Sequence, residues 1–271
     1  MSPPPTPSTT IPPHHVHPRH RINTTNYNNN NNNNQQQHVL KHVLKHNHNH
    51  THTHTHQPPI HTTSTPTPTI PWTPTTPQTR PLAIIGAGCL GRRIACIFSA
   101  AGHTVHLRDP SAKARTEALE YITTHMPEYT DFPLIPRPQG PCHTFSDLDT
   151  CVQNAWLVIE SVPERLPLKI EVMGELDAKT PSDCILASNS SSFKTSFMVE
   201  KVRSERRPLI CNMHFAMPPR IRAVELMTNG ETDLQVLSFL TWVLDDCGMM
   251  PVTARKERSG LVRSHCLNTV T

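Results

Sequence analysis

One run of six residues constrains this chain more than any other: Gly86-Ala87-Gly88-Cys89-Leu90-Gly91. It follows the short apolar stretch Leu82–Ile85, which suits a strand buried on both faces. Residues 92–101 then read as a helix with Ile94, Ala95, Ile97 and Phe98 on its apolar face, and Gly102 as its stop. Residues 103–109 form the next strand, closed by Asp109. In that context each glycine has a physical task. Gly86 permits the tight turn, Gly88 removes a Cβ from the path of a pyrophosphate, and Gly91 lets helix and strand pack closely. The helix N-terminus offers unpaired N–H groups and the positive end of its dipole, with Cys89 and Leu90 in the cofactor-binding loop that leads into it. Asp109 lies 18 residues after Gly91, where an acid takes the adenosine ribose hydroxyls. Its charge repels a 2′-phosphate and favours NAD over NADP, with Arg108 and Lys113 nearby as the opposing feature. A glycine-rich turn without a ligand is the bland alternative, and the agreement of strand, glycines, helix, strand and acid argues against it.

Composition divides the chain at residue 81. Residues 1–80 contain no Asp, Glu, Gly or Cys, yet hold 13 of the 19 His and 14 of the 28 Pro. Such a segment cannot bury enough apolar surface to offset the entropy of ordering, so it is expected to be disordered, with local polyproline II towards its end. All 21 acids lie beyond it, so the overall charge of +4 belongs to the tail. The folded part therefore has no basic excess that would point to nucleic acid. His48, His50, His52, His54 and His56 alternate and would share one face of an extended chain. No Cys or carboxylate completes a site there, so the tract reads as low complexity and no metal is expected. The eight Cys are scattered without a CxxC pair, as reduced core residues are. No apolar stretch is long enough for a membrane helix. The N-terminus has neither the apolar core of a secretory signal nor an Arg-rich amphipathic helix, so a cytoplasmic location is expected, with a mitochondrial one as the alternative.

The second half continues the pattern. Residues 155–160, 184–188 and 208–213 read as strands, with a helix over residues 168–179. Strands alternating with helices imply an α/β fold, a Rossmann-type doubly wound parallel sheet behind a disordered low-complexity tail. Ligands in such sheets bind at the C-terminal ends of the strands. Glu164, Asn189, Ser191 and His214 are each expected just after a strand.

The Gly86–Gly91 loop with Ile94-Ala95 is followed in order by three further motifs. They are Val158-Ile159-Glu160-Ser161-Val162-Pro163-Glu164, Ala187-Ser188-Asn189-Ser190-Ser191-Ser192, and His214-Phe215 through Pro218-Pro219 to Val224-Glu225-Leu226. Together they resemble the NAD-binding domain of the 3-hydroxyacyl-CoA dehydrogenase family. The resemblance implies an NAD-dependent oxidoreductase of fatty acid metabolism that oxidises a 3-hydroxyl by hydride transfer to NAD. It implies His214 as the base, Glu225 as the acid that orients it, and Ser191 as a hydroxyl bonded to the substrate's 3-oxygen. Glu164 and Asn189 would lie near the nicotinamide half of the cofactor, and Lys169 near cofactor and CoA. The chemistry suits these residue types: a secondary alcohol must lose its hydroxyl proton to a base while hydride leaves carbon.

The resemblance also has departures. The family carries Asn three residues after its His, where this chain has Met217; it carries another Asn where this chain has Ser264. Residues 127–141 hold five prolines and read as an irregular connection in place of a helical hairpin. The expected layout is a tail over 1–80, the NAD-binding domain over 81–258, and the opening of a truncated second domain over 259–271. A cleft left open would weaken or abolish turnover of the chain alone, and the face that the family's second domain covers would be exposed. The expected partner is an acyl-CoA or another hydroxy acid, with the oligomeric state open because that domain is also the family's usual dimer contact. Two alternatives stand beside this: a dehydrogenase of a free polar hydroxy acid such as carnitine, and a non-catalytic NAD-binding or interaction protein working through its tail.

Overall fold

The computed structural model describes residues 79–254 together with 256 and 257. The His/Asn-rich tract, Ser264 and the expected second-domain segment lie outside the described residues. Arg80, which composition groups with the tail, is fixed to the domain: its guanidinium meets Asp183 at 2.7 Å and donates to the Ala155 carbonyl at 2.8 Å.

Strand β1 (Leu82–Ile85) is buried throughout, as four consecutive apolar residues require. Helix α1 (Cys89–Ala100) starts three residues before the expected point, inside the glycine motif, and buries Ile94, Ile97 and Phe98 against the sheet. Each such side chain contributes roughly 1.5–3 kcal/mol by leaving water. Gly102 at φ +86° ends the helix in the left-handed region and returns the chain to β2 (Val105–Arg108). Helix α2 (Ala112–His125), capped by the Ser111 hydroxyl on the Ala114 amide, buries only Ala118 and Ile122, which is why periodicity did not disclose it.

No helix or strand forms between the 3₁₀ turn Met126–Glu128 and β3 (Cys142–Phe145). That proline-rich stretch is nonetheless tied down: Tyr129 is fully buried, Arg137 pairs with Asp246 at 2.7 Å, and Ser99 donates to the Gly140 carbonyl at 2.6 Å.

The remaining elements are α3 (Leu148–Val152), β4 (Leu157–Glu160), α4 (Leu166–Lys179), β5 (Ile185–Ser188), β6 (Ile210–Met217), β7 (Ile221–Thr228), α5 (Leu234–Asp246) and β8 (Met250–Ala254). The eight strands make one sheet in the order β3-β2-β1-β4-β5-β6-β7-β8. Helices α1, α2 and α5 cover one face and α3 and α4 the other, each over its own apolar cluster. This is the doubly wound α/β sheet expected, with one difference. Strands β6 and β7 form an antiparallel pair, and β8 then lies parallel to β7. Strand order reverses between β1 and β4, so the crevice of the fold opens beyond the C-terminal ends of those two strands. No helix among the described residues is long and apolar enough to cross a membrane.

Candidate functional site

The glycine loop lies at that reversal point. Gly86 has φ +112°, and a Cβ on it would meet the Ser161 carbonyl oxygen at 2.5 Å, so the loops after β1 and β4 touch there. Gly91 is closer still to its neighbours: its Cβ would stand 1.9 Å from the Gly86 oxygen. Gly88 differs from both. Nothing lies within 4 Å of a Cβ built on it, and its side lacks any cap for helix α1. The first-turn amides of Cys89, Leu90 and Gly91 have no intrahelical acceptor, and they edge the open space beside Gly88. A diphosphate group fits that description in shape and charge. Asp109 organises this loop directly. Its Oδ2 accepts from the Ala87 amide at 3.0 Å and its Oδ1 from Ser111 at 2.9 Å, while Arg115 donates to the Asp109 carbonyl at 2.7 Å.

The loops after β4 and β5 are joined by a buried polar network. Glu160, fully buried at the end of β4, accepts from the Val162 amide and the Lys169 ammonium at 2.8 Å each, and from the Ser188 hydroxyl at 2.7 Å. The Lys169 ammonium also reaches Glu164 Oε2 at 3.1 Å. Glu164 Oε1 accepts from the Ser190 hydroxyl at 2.6 Å and the Ser192 amide at 2.9 Å. Burial would raise the Glu164 carboxyl, but the hydrogen bonds from Ser190 and Ser192 and the Lys169 charge outweigh it and hold it below the ordinary range. Lys169 is 1% exposed, and its ammonium is held inside the protein by Glu160, Glu164 and the Val162 carbonyl. Removing Lys169 alone would leave the buried Glu160 charge without its counter-charge, at a cost of roughly 3–5 kcal/mol.

His214 is placed differently from the expectation in one respect. It lies inside β6, not after it, and its cross-strand partner in β7 is Glu225. Their side chains meet at 2.9 Å between His214 Nδ1 and Glu225 Oε2. Glu225 is 1% exposed, whereas the His214 side chain keeps 16% of its surface open. With Nδ1–H donating to the carboxylate, Nε2 carries the free lone pair. Two asparagines staple the β5 loop to this strand on either side of His214. Asn189 Oδ1 accepts from the Phe215 amide at 2.9 Å, and Asn212 Nδ2 donates to the Ser190 carbonyl at 2.9 Å. Ser191 sits exposed between Ser190 and Ser192, the two residues held by Glu164. Met217, which stands where the family carries Asn, is exposed at the end of β6.

The structure thus brings together Gly86, Gly88, Gly91 and Asp109 at one loop, and Glu164, Asn189, Ser191, His214 and Glu225 around the ends of β4, β5 and β6. Glu160, Ser188 and Asn212 were missed by sequence reading. The signals were available: an acid closing an apolar strand, and an Asn inside one, two residues before His214 and so on the same face. Among the described residues no cluster of three or more His, Cys, Asp or Glu side chains could hold a metal ion.

A doubly wound sheet with a glycine loop at its reversal point and a His–Glu pair beside it defines a dinucleotide-binding domain of the dehydrogenase type. The family model for the 3-hydroxyacyl-CoA dehydrogenase NAD binding domain matches residues 81–258, and the chain belongs to that family. Its cofactor is NAD. The chain is 30% identical over 193 residues to an L-carnitine dehydrogenase/betainyl-CoA thioesterase of Ruegeria pomeroyi, covering 69% of this chain and 39% of that one. Against the 5-formyl-3-hydroxy-2-methylpyridine 4-carboxylate 5-dehydrogenase of Mesorhizobium japonicum it is 26% identical over 191 residues, covering 69% and 61%. The chain therefore spans less than two thirds of either relative. Among solved structures it resembles a 3-hydroxyacyl-CoA dehydrogenase of Archaeoglobus fulgidus, with a TM-score of 0.57, 27% identity and coverage of 70% and 60%. A solved 5-formyl-3-hydroxy-2-methylpyridine 4-carboxylic acid 5-dehydrogenase matches with a TM-score of 0.64, 26% identity and coverage of 70% and 62%.

Proposed function

We propose that the chain supplies the cofactor half and the proton-transfer pair of an NAD-dependent dehydrogenase acting on a 3-hydroxyacyl thioester or a related hydroxy acid. The observation that carries this is the His214–Glu225 pair: a partly exposed imidazole whose Nδ1 is held by a buried carboxylate directly opposite it on the antiparallel strands β6 and β7. Gly86, Gly88, Gly91 and the first-turn amides at Cys89 and Leu90 would hold the cofactor's diphosphate, and Asp109 its adenosine ribose. NAD, when bound, supplies the hydride acceptor. His214 Nε2 takes the hydroxyl proton of the substrate, and Glu225 faces the positive charge that then develops on the ring. Ser191 donates a hydrogen bond to the same substrate oxygen. Asn189 anchors Phe215 through its oxygen and donates from Nδ2 to the Ser161 hydroxyl at 3.5 Å, tying the loop after β5 to the loop after β4.

Substrate class is the finer question. Curated relatives from several bacteria are named L-carnitine dehydrogenases, which supports a free hydroxy acid, while the family name and the Archaeoglobus structure support a thioester. The test is NADH formation by the full chain with 3-hydroxybutyryl-CoA and with L-carnitine, each compared with His214→Ala and Glu225→Gln. General-base catalysis of this kind contributes about 10²- to 10⁴-fold. A loss of that size in His214→Ala, with NAD binding intact, is expected; turnover that survives His214→Ala would overturn the assignment.

A further inference from the structure

We infer that Glu164, backed by Lys169 and Glu160, is a positioning residue that sets Ser191 against His214. The inference deepens the proposed function and rests on it for the role of Ser191. Its basis is geometric. One oxygen of Glu164 takes the Ser190 hydroxyl and the Ser192 amide, the residues immediately before and after Ser191. The Ser190 hydroxyl in turn accepts from the Phe193 amide at 3.1 Å, so the turn is closed on itself. The other Glu164 oxygen is held by Lys169, whose ammonium is fixed by Glu160, and Glu160 is anchored to β5 through Ser188. The same turn is tied to β6 on both sides of His214: Asn189 accepts from the Phe215 amide, and Asn212 on the strand donates to the Ser190 carbonyl. The chain of contacts therefore runs without a gap from α4 through the ends of β4 and β5 to the strand that carries the base.

Such an arrangement has a use beyond holding the fold. A hydroxyl that must donate to the substrate oxygen while Nε2 accepts the proton has to be placed to within a fraction of an ångström. Ser191 makes no hydrogen bond of its own among the described residues, so its placement is inherited from its two neighbours. Glu164 is itself partly exposed and follows Pro163 in a loop, so it can be altered without opening the core. This separates it from Glu160 and Lys169, whose loss would threaten folding.

The experiment uses the full chain carrying Glu164→Ala or Glu164→Gln. Amide hydrogen exchange is followed at Ser192 and Phe193, with NAD affinity by calorimetry and, where turnover is measurable, kcat and KM. Glu164→Ala is expected to speed exchange at Ser192 and Phe193 by tenfold or more, to leave NAD affinity within about twofold, and to lower kcat more than it raises KM. Glu164→Gln keeps an oxygen acceptor for Ser190 and Ser192 and is expected to restore most of the protection and of kcat. Unchanged exchange together with weakened NAD binding in Glu164→Ala would overturn the inference and make Glu164 a cofactor contact. Exchange and calorimetry do not depend on turnover, so an inactive wild type would count against the proposed reaction alone.

Discussion

Replacing the three glycines of the loop one at a time by alanine should separate ligand space from packing space. Gly88 has φ −71° and ψ −164°, extended backbone that alanine adopts, and the space where its Cβ would go is empty to 4 Å. Gly88→Ala should therefore leave stability unchanged or raise it by about 0.4–1 kcal/mol, through the lower entropy of the unfolded chain. Gly91→Ala places a methyl 1.9 Å from a backbone oxygen that cannot rotate away. Overpacking of that kind costs roughly 1–3 kcal/mol or more. For a domain of this size each kcal/mol moves the midpoint by about 2–4 °C, so Gly91→Ala should melt several degrees lower. Gly86→Ala combines a left-handed φ with a 2.5 Å contact and should be destabilised too. NAD affinity should show a different order. The methyl of Gly88→Ala enters the space assigned to the diphosphate, and a loss of at least about tenfold, or 1.4 kcal/mol, is expected. Thermal melts and calorimetric NAD titrations of the full chain measure both. If Gly88→Ala melts as low as Gly91→Ala, or binds NAD like the wild type, the diphosphate does not lie where the open space suggests.

Two further outcomes follow from buried groups. Burial pushes His103 down to about 4, against the upward pull of Asp246 and in the same direction as Arg137. The stability attached to its neutral form is complete above the ordinary value of 6.5 and is lost as pH falls from there towards 4, on the order of 3 kcal/mol in all. Denaturant unfolding at pH 7 and pH 4.5 should show His103→Leu losing less stability across that interval than the wild type; an equal loss would refute the attribution. Among the described cysteines Cys89 is the exposed one, whereas burial pushes the thiols of Cys96, Cys151, Cys184 and Cys211 up to about 12. N-ethylmaleimide followed by peptide mass spectrometry should label Cys89 before those four, and more slowly with NAD present; indifference to NAD would place Cys89 away from the cofactor.

The cofactor end of this protein was legible in its residues alone. From β1 through Gly91, α1 and β2 to Asp109, every signal is local: a buried strand, glycines at fixed offsets, an apolar helix face, an acid at a strand end. Local signals are written in consecutive residues, and the structure moved only element ends there. The helix start at Cys89 in place of residue 92 is such a shift. Helix α4 likewise begins at Leu166, with Pro167 in its first turn, earlier than the pattern alone suggested. The other end of the site took shape only through long-range packing. His214 and Glu225 are 11 positions apart, and nothing in their spacing says that β6 and β7 turn back on each other and set them directly opposite. The family resemblance named the pair, but the register makes it one. Lys169 shows the same limit: nothing in a lysine nine residues after Glu160 says that folding buries both and sets them 2.8 Å apart. Pairings between distant residues depend on how strands and loops close in space, and that closure is a property of the whole packed sheet rather than of any segment within it.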